Sequence, residues 1–153
     1  MLDERLTDRH ANCLLAVVEP SAAGISGAEA MITIKHFMDP VEKEDGNRIW
    51  VEPIGLTIDL KKWCKVSHTL CHVAPPRELW DWFIDHPDGY GFFRGRYHEW
   101  LRQSPYRSAL QQLACAAMRE NITLLHQSED GEHNSATALY EFLSELEAYC
   151  QPE

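Results

Sequence analysis

The stretch ITLLHQSEDGEHNSATALYEFL, residues 122–143, decides the fold of this chain. It opens with ITLLH, which is short and almost wholly apolar and so predicts a buried β-strand at 122–126. An acidic loop follows, and apolar residues then return at the spacing of one face of a helix. A strand that is apolar on both faces and flanked by helices is typical of a sheet covered on both sides. The stretch therefore predicts an α/β fold with a small, mostly parallel sheet covered by helices.

Outward from this stretch, residues 31–150 carry further strand and helix patterns and predict a single compact domain. MITIKHF at 31–37 and RIWVEPI at 48–54 predict two strands, and Pro53 should end the second because it has no N–H. Apolar spacing and turn residues predict helices around 61–65, 76–85, 92–103, 106–121 and 132–149. Residues 1–30 differ in composition and end in the Ala/Gly/Ser-rich segment 20–30, so they are predicted to be an extension or linker.

The charge of the chain argues against several classes of partner. The formal net charge is −10, and no basic residue follows Arg119. Such a chain repels nucleic acids and anionic membrane surfaces unless it carries a local basic patch. Four arginines do lie among aromatic residues at 90–107, but their helical spacing favours a solvated helix face over a stacking platform for single strands. We therefore expect no nucleic-acid and no membrane partner, whereas a small molecule, a protein partner or a homo-oligomer stays open.

Cysteine usage and the N-terminal region bear on the location of the protein. The five cysteines are odd in number, scattered and without a CxxC pair, which favours reduced thiols over a disulfide framework. The apolar run at 11–18 is short, and acidic residues precede it as well as arginines, so it does not resemble a signal peptide. No stretch approaches the roughly 20 apolar residues that a membrane span needs. A cytoplasmic location is the resulting prediction.

Potential metal ligands occur in two groups, neither of which has an established spacing. The first comprises Cys64, His68, Cys71 and His72, and the second comprises His126, Glu129, Asp130, Glu132 and His133. The first matches no zinc finger or ribbon, and the second lacks the HExxH arrangement that places two ligands on one helix face. Acids before a helix are also explained without metal by the helix dipole. We expect no metal and no other cofactor.

Motifs that would identify a catalytic nucleophile or a phosphate loop are absent from the sequence. It contains no GxSxG, SxxK, P-loop or GxGxxG. Cys115 lies within an apolar helical pattern, which predicts a buried, unreactive thiol. These observations argue against an enzyme without deciding the question.

From Met31 onward the chain resembles the YeaO-like branch of DUF488, a family of domains of unknown function. The segments that carry the resemblance follow one another in the expected order over roughly 120 residues: MITIKHFMDP (31–40), DGNRIWVEP (45–53), APPRELWDWFIDHP (74–87), FFRGRYHEWL (92–101) and ITLLHQSEDGEHNSATALYEFL (122–143). The resemblance implies a compact α/β fold in a bacterial, cytoplasmic protein with no established activity.

One loop departs from the pattern that the resemblance implies. The family's second strand usually leads into a loop like Asp-Arg-Leu-Trp-Pro-Arg-Gly, whereas residues 51–58 here read VEPIGLTI. The acid is retained as Glu52, but Pro53 and Thr57 stand where the two arginines would align. If the family's arginines hold an anion, this chain has a degenerate anion loop.

The loop after the second strand and the loop at 127–134 both follow strands, so we expect them to meet at one rim of the sheet. In open parallel sheets, ligands settle in the crevice outside the carboxyl ends of the strands. The ligand-binding candidates are Glu52, Thr57, His126, Asn134 and Arg96. The favoured function is a non-catalytic small-ligand-binding or interaction domain. The alternative is an enzyme with Glu52 or His126 as general base and Asn134 orienting the substrate.

Overall fold

The computed structural model describes residues 31–103 and 105–150, so the predicted N-terminal extension at 1–30 lies outside the described residues. Its strands form one sheet with the order β1-β4-β2-β3, and each neighbouring pair is parallel. The strands are β1 (Ile32–His36), β2 (Asn47–Trp50), β3 (His68–Thr69) and β4 (Ile122–His126). The predicted α/β fold with a small parallel sheet is confirmed.

The helices of the described residues are α1 (Ile58–Trp63), α2 (Arg77–Asp85), α3 (Tyr90–Gln103), α4 (Arg107–Ala116) and α5 (Ser135–Glu147). Short 3-10 turns lie at Lys43–Asp45 and Pro87–Gly89. Strand β4 has the predicted bounds, and β2 ends before Pro53 as expected. Helix α5 begins at Ser135, later than predicted, because Asn134 caps it from an extended backbone conformation. Within the described residues, no helix is long and apolar enough to cross a membrane.

Strand β4 is central, and every residue in it is buried. It pairs with β1 from Ile32↔Ile122 to His36↔His126, and with β2 from Asn47↔Ile122 to Trp50↔Leu125. Residues of α3, α4 and α5 complete the core against the sheet, among them Phe93, Leu110, Leu113, Leu139 and Leu143. The parallel register brings the carboxyl ends of β1, β2 and β4 to one edge, and this edge carries the candidate site.

Two large apolar side chains within the predicted helices 106–121 and 132–149 are exposed. Tyr140 is 37% exposed and Met118 is 53% exposed. The core face of α5 runs through Leu139 and Leu143, so Tyr140 lies at its margin. Helix α4 ends at Ala116, earlier than the apolar pattern suggests, so Met118 no longer follows the register of that helix.

A buried ionic network lies beside β2, where the sequence suggested nothing unusual. Arg48 is 2% exposed and Asp45 is 4% exposed. The guanidinium of Arg48 donates to Asp45 Oδ2 at 2.7 Å and to the carbonyl oxygen of Cys64 at 2.9 Å. Lys35 Nζ donates to the other oxygen of Asp45 at 2.9 Å. These bonds tie β1, β2 and the end of α1 together.

The predicted turn at Asp45-Gly46 depends on glycine. Gly46 has φ +62°, a left-handed conformation that most side chains avoid. A Cβ at this position would also overlap the carbonyl group of Asn121, the residue before β4. The close approach lets Asn47 N–H donate to Asn121 O at 3.2 Å and start the β2–β4 pairing.

The prediction of reduced, unpaired cysteines is wrong for one pair. Cys115 of α4 and Cys150, which follows α5, form a disulfide with their Cα atoms 5.4 Å apart. The same observation corrects the view of Cys115 as a buried, inert thiol. The two helices pack side by side, and this packing brings together cysteines that are 35 residues apart in sequence. Cys64 and Cys71 are free thiols.

Candidate functional site

A cleft of about 520 Å³ opens at the carboxyl ends of β2 and β4. The segment after β2 contributes Glu52, and the loop after β4 contributes much of the remaining polar lining. Helix α2 and the turn after it supply the apolar wall. The lining residues are Glu52, Trp80, Phe83, Ile84, Pro87, Gln127, Ser128, Glu129, Asp130, His133, Asn134 and Ser135. Three of them are carboxylates, and none is a lysine or an arginine.

Glu52 is the most unusual group in the cleft, because it is a carboxyl only 2% exposed. Its Oε2 accepts a hydrogen bond from Trp80 Nε1 at 3.4 Å, near the long end of the useful range. Its Oε1 is buried and forms no well-aligned hydrogen bond with the described residues. Burial raises the pKa of Glu52, although the Ser135 hydroxyl, the Trp80 indole and the backbone N–H of Gln127 act in the opposite direction.

The loop after β4 is held by its own polar groups. Asp130 Oδ1 accepts from the backbone N–H groups of Glu132 at 2.9 Å and His133 at 3.1 Å. These bonds lower the pKa of Asp130, so its carboxylate stays ionised at neutral pH. Asn134 Nδ2 donates to the carbonyl oxygen of Asp130 at 2.9 Å, and Asn134 Oδ1 accepts from Thr137 N–H at 2.9 Å. Asn134 therefore orders the cleft loop and begins α5 at the same time.

His126 lines a separate, smaller cleft of about 290 Å³ on the β1 side of the same loop. Its ring lies edge-on to that of His36, with 5.7 Å between centroids. Burial, followed by the influence of His36, lowers the pKa of His126 to about 4, so the imidazole is neutral at pH 7. Its Nδ1 is buried without a hydrogen-bond partner among the described residues. Ser128 and Glu129 line both clefts.

The structure brings some of the predicted ligand-binding candidates together and separates others. Glu52 and Asn134 line one cleft, and His126 lines the neighbouring one. Thr57 lines neither cleft, because its hydroxyl caps α1 by accepting from Leu60 N–H at 3.2 Å. Arg96 also lies outside both clefts, and its guanidinium lies 5.2 Å from the centroid of the Phe92 ring. The other arginines of α3 also have structural partners, since Arg94 pairs with Glu141 and Arg102 with Glu145.

Trp80 and Ser135 are site residues that sequence reasoning missed. The helical spacing of Leu79, Trp82 and Phe83 in α2 groups these three residues on one face, and Trp80 lies outside this pattern. The structure buries Trp80 to 7% exposure beside Glu52. Ser135 is the first residue of α5, directly after the capping Asn134. At this position the sequence pattern indicates only that a helix begins, so it does not identify Ser135 as a cleft residue. No group of three or more potential metal ligands converges within the described part of the chain.

Comparisons with known proteins identify relatives and one matching family model. Uncharacterized proteins of Mycobacterium bovis and Mycobacterium tuberculosis are 27% identical to this chain over 101 residues, which cover 62% of this chain and 80% of theirs. No solved structure matches. Residues 31–151 match the family described as the inactive DUF488-N3 subclade, DUF488-N3i. The YeaO-like branch stays a prediction. The match covers most of the chain, and the protein therefore belongs to the DUF488 family.

Proposed function

We propose that this protein is a non-catalytic small-ligand-binding domain whose anion loop is degenerate. One observation carries the proposal: the cleft at the strand ends is lined by Glu52, Glu129 and Asp130 and by no lysine or arginine. A cleft at this edge of a parallel sheet is a favoured place for a ligand. Its volume of about 520 Å³ falls in the range of small-molecule sites.

The charge of the lining disfavours phosphate and carboxylate ligands. A charge-assisted hydrogen bond from a buried donor contributes about 1.5–3 kcal/mol. The cleft has no cationic donor of this kind at Pro53 or Thr57, and its carboxylates repel an anion. Thr57 is engaged in capping α1. Neutral or cationic small molecules are the ligands that such a lining favours.

Two further observations support a binding role over catalysis. The subclade that the chain matches carries the description inactive. In addition, the hydroxyl oxygen of Ser128 accepts from Asp130 N–H at 3.0 Å, and His133 Nδ1 contacts Asp130 Oδ2 at 3.1 Å. These groups hold the loop, and a nucleophile would instead need a hydrogen-bonded base.

A general-base role for Glu52 is the second candidate function. A buried carboxyl with a raised pKa and an unpartnered oxygen is a feature of catalytic bases as well as of binding sites. A panel of hydrolase and isomerase substrates tests this alternative. Turnover by the wild type that disappears in Glu52→Gln would favour the enzyme and contradict the non-catalytic proposal.

We also propose the cytoplasm of a bacterium as the location of the protein. The mycobacterial relatives and the free thiols of Cys64 and Cys71 support this proposal. The Cys115–Cys150 disulfide argues against it, because disulfides persist mainly in oxidising compartments. Nucleic acids and membranes are not proposed as partners, since the net charge of −10 disfavours both.

Ligand screening by NMR tests the proposed function directly. The full-length protein is titrated with inorganic phosphate, nucleotides and sugar phosphates, and separately with a library of neutral and cationic fragments. We expect fragments to shift the indole N–H signal of Trp80 and the amide signals of 127–135, and the anions to leave them unchanged. Saturable shifts of these signals by nucleotides or sugar phosphates would contradict the degenerate anion loop. A library without any hit in the cleft would contradict the binding role.

A further inference from the structure

Resting on the proposed binding role, we propose that the Glu52 cleft takes an organic ammonium ion: its N–H group donates to Glu52 Oε1, and its apolar body lies against Phe83, Ile84 and Pro87. This inference names the chemical class of the ligand, which the proposed function leaves open between neutral and cationic molecules.

The first step is the unmet hydrogen-bonding capacity of Glu52. A buried carboxylate is costly unless hydrogen bonds or an opposite charge compensate it. Glu52 is 2% exposed, its Oε2 has one long bond to Trp80, and its Oε1 has no well-aligned bond among the described residues, although the Ser135 hydroxyl and the Gln127 N–H lie near the carboxyl group. Oε1 is therefore a desolvated, incompletely bonded acceptor on a residue that lines the cleft, and a donor from a ligand would complete its hydrogen bonding.

The second step is the charge of the rim. Glu129 and Asp130 are exposed and lie on the same loop, and the hydrogen bonds of Asp130 keep its carboxylate ionised. No lysine or arginine among the described lining residues neutralises these acids, although the His133 ring nitrogen Nδ1 lies 3.1 Å from Asp130 Oδ2. Arg77 lies near the cleft wall, 5.3 Å from the Trp80 ring centroid, but it pairs with Asp81 at 3.1 Å and is not part of the lining. The negative electrostatic potential of these carboxylates at the cleft mouth therefore attracts a positively charged group.

The third step is the apolar wall of the same cleft. Ile84 is 55% exposed, and Phe83 and Pro87 also line the cleft. A cleft that combines a buried carboxyl with apolar side chains suits a molecule with an ammonium head and a hydrocarbon or aromatic body.

A divalent metal fits the same cleft less well. The carboxylates of Glu52, Glu129 and Asp130 do not converge on one point, since no group of three potential ligands forms in the described residues. Asp130 already uses both oxygens within its loop. An organic cation needs only one buried acceptor, and Glu52 supplies it.

Paired probes test the inference without any mutation. Benzylamine and cyclohexylmethylamine are titrated by NMR and calorimetry against the alcohols of the same shape, and Mg²⁺ and Zn²⁺ are titrated alone. We expect both amines to bind at least about tenfold more tightly than the alcohols, because the charged hydrogen bond to Oε1 is lost in the alcohols.

A matched pair of variants places the effect at one carboxylate. Glu52→Gln should weaken amine binding at least about tenfold. Glu145→Gln, which removes an exposed carboxylate paired with Arg102, should change binding less than about twofold. Thermal melts show whether both variants fold. If Glu52→Gln does not fold, the comparison of amines with alcohols on the wild type still tests the inference.

The outcomes separate this inference from the proposed function. Alcohols that bind in the cleft as tightly as the amines would overturn the ammonium inference and leave the binding role intact. Metal ions that displace the amines and bind more tightly would replace the organic cation with a metal. If neither the probes nor any library fragment shifted the cleft signals, both proposals would be wrong.

Discussion

At the scale of single residues, the chain places ionisable groups in two contrasting buried environments. Asp45 lies among cationic donors, with Lys35 and Arg48 on its two oxygens. Glu52 has no cationic partner and keeps one oxygen open. Burial alone would raise the pKa of Asp45, but hydrogen bonds from Lys35, the Glu42 backbone and Arg48 lower it overall. One buried acid is therefore held by two cations of the fold, and the other has no lysine or arginine beside it among the described residues.

Replacing Asp45 by asparagine should destabilise the protein by about 3–5 kcal/mol, because Arg48 would remain buried without its counter-charge. The measurement is the free energy of unfolding in urea at pH 7. Asp81→Asn is the matched control, since its pair with Arg77 is exposed and should contribute less than about 1 kcal/mol. Equal losses in the two variants would contradict this interpretation of the network.

The stabilisation by Asp45 should also depend on pH in a defined direction. A carboxyl whose pKa is lower in the folded state stabilises above its unfolded pKa of about 4, and this stabilisation is lost as pH falls through the folded value. The difference in unfolding free energy between the wild type and Asp45→Asn should therefore be constant from pH 5 to 7. It should shrink below about pH 4. A difference that stays constant down to pH 2 would mean that the charge of Asp45 is not the cause.

At the scale of elements, predictions succeeded where a single local pattern dominated. The bounds of strand β4 were predicted correctly because the short, almost wholly apolar run at 122–126 indicates a buried strand, and all five residues are buried. In the region 59–73 the sequence predicts only a short helix around 61–65 and no strand, and the structure explains why: α1 has six residues, none of them buried, and β3 has two. Such short elements are held by neighbours such as Arg48, which bonds the carbonyl of Cys64, and no local period reveals them.

Two helix caps of similar chemistry should differ in their contribution to stability. Asn134 caps the largely buried α5 and also bonds Asp130 O, whereas Thr57 caps the exposed, six-residue α1. We expect Asn134→Ala to cost about 1–2 kcal/mol and Thr57→Ala about 0.5 kcal/mol or less. Urea unfolding followed by circular dichroism gives both values. If Thr57→Ala lowered the unfolding free energy more than Asn134→Ala did, the larger stabilising role of the α5 cap would be contradicted.

At the scale of the whole molecule, part of the site was predictable and part was not. Glu52 and Asn134 follow strands of one parallel sheet, so topology alone predicts a shared rim, and both line one cleft. His126 lines the neighbouring, smaller cleft, because the loop at 127–134 lies between the two clefts. The burial of Trp80 beside Glu52 and the pairing of Cys115 with Cys150 depend on tertiary packing between segments distant in sequence. A single sequence carries no local pattern for such contacts.

The disulfide should make the stability of the whole domain respond to reductant. It closes a segment that spans 35 residues and contains β4 and α5, and such a link contributes about 2–4 kcal/mol. Reduction of the wild type should lower the unfolding free energy by this amount. The Cys150→Ser variant should already have the lower unfolding free energy, and reductant should not lower it further. Cys71→Ser, which removes a free thiol, should respond to reductant like the wild type. Alkylation of Cys115 and Cys150 in unreduced protein would contradict the pairing.

The central position of β4 has a consequence for the newly made chain. Strands β1 and β2 are synthesised first but do not pair with each other, since β4 lies between them. Until residues 122–126 have left the ribosome, β1 has no neighbour and β2 can pair only with the two residues of β3. A nascent or truncated chain that stops before this point therefore carries two open strand edges, which are sites of aggregation. The emergence of β4, rather than local folding of the earlier segments, closes the sheet.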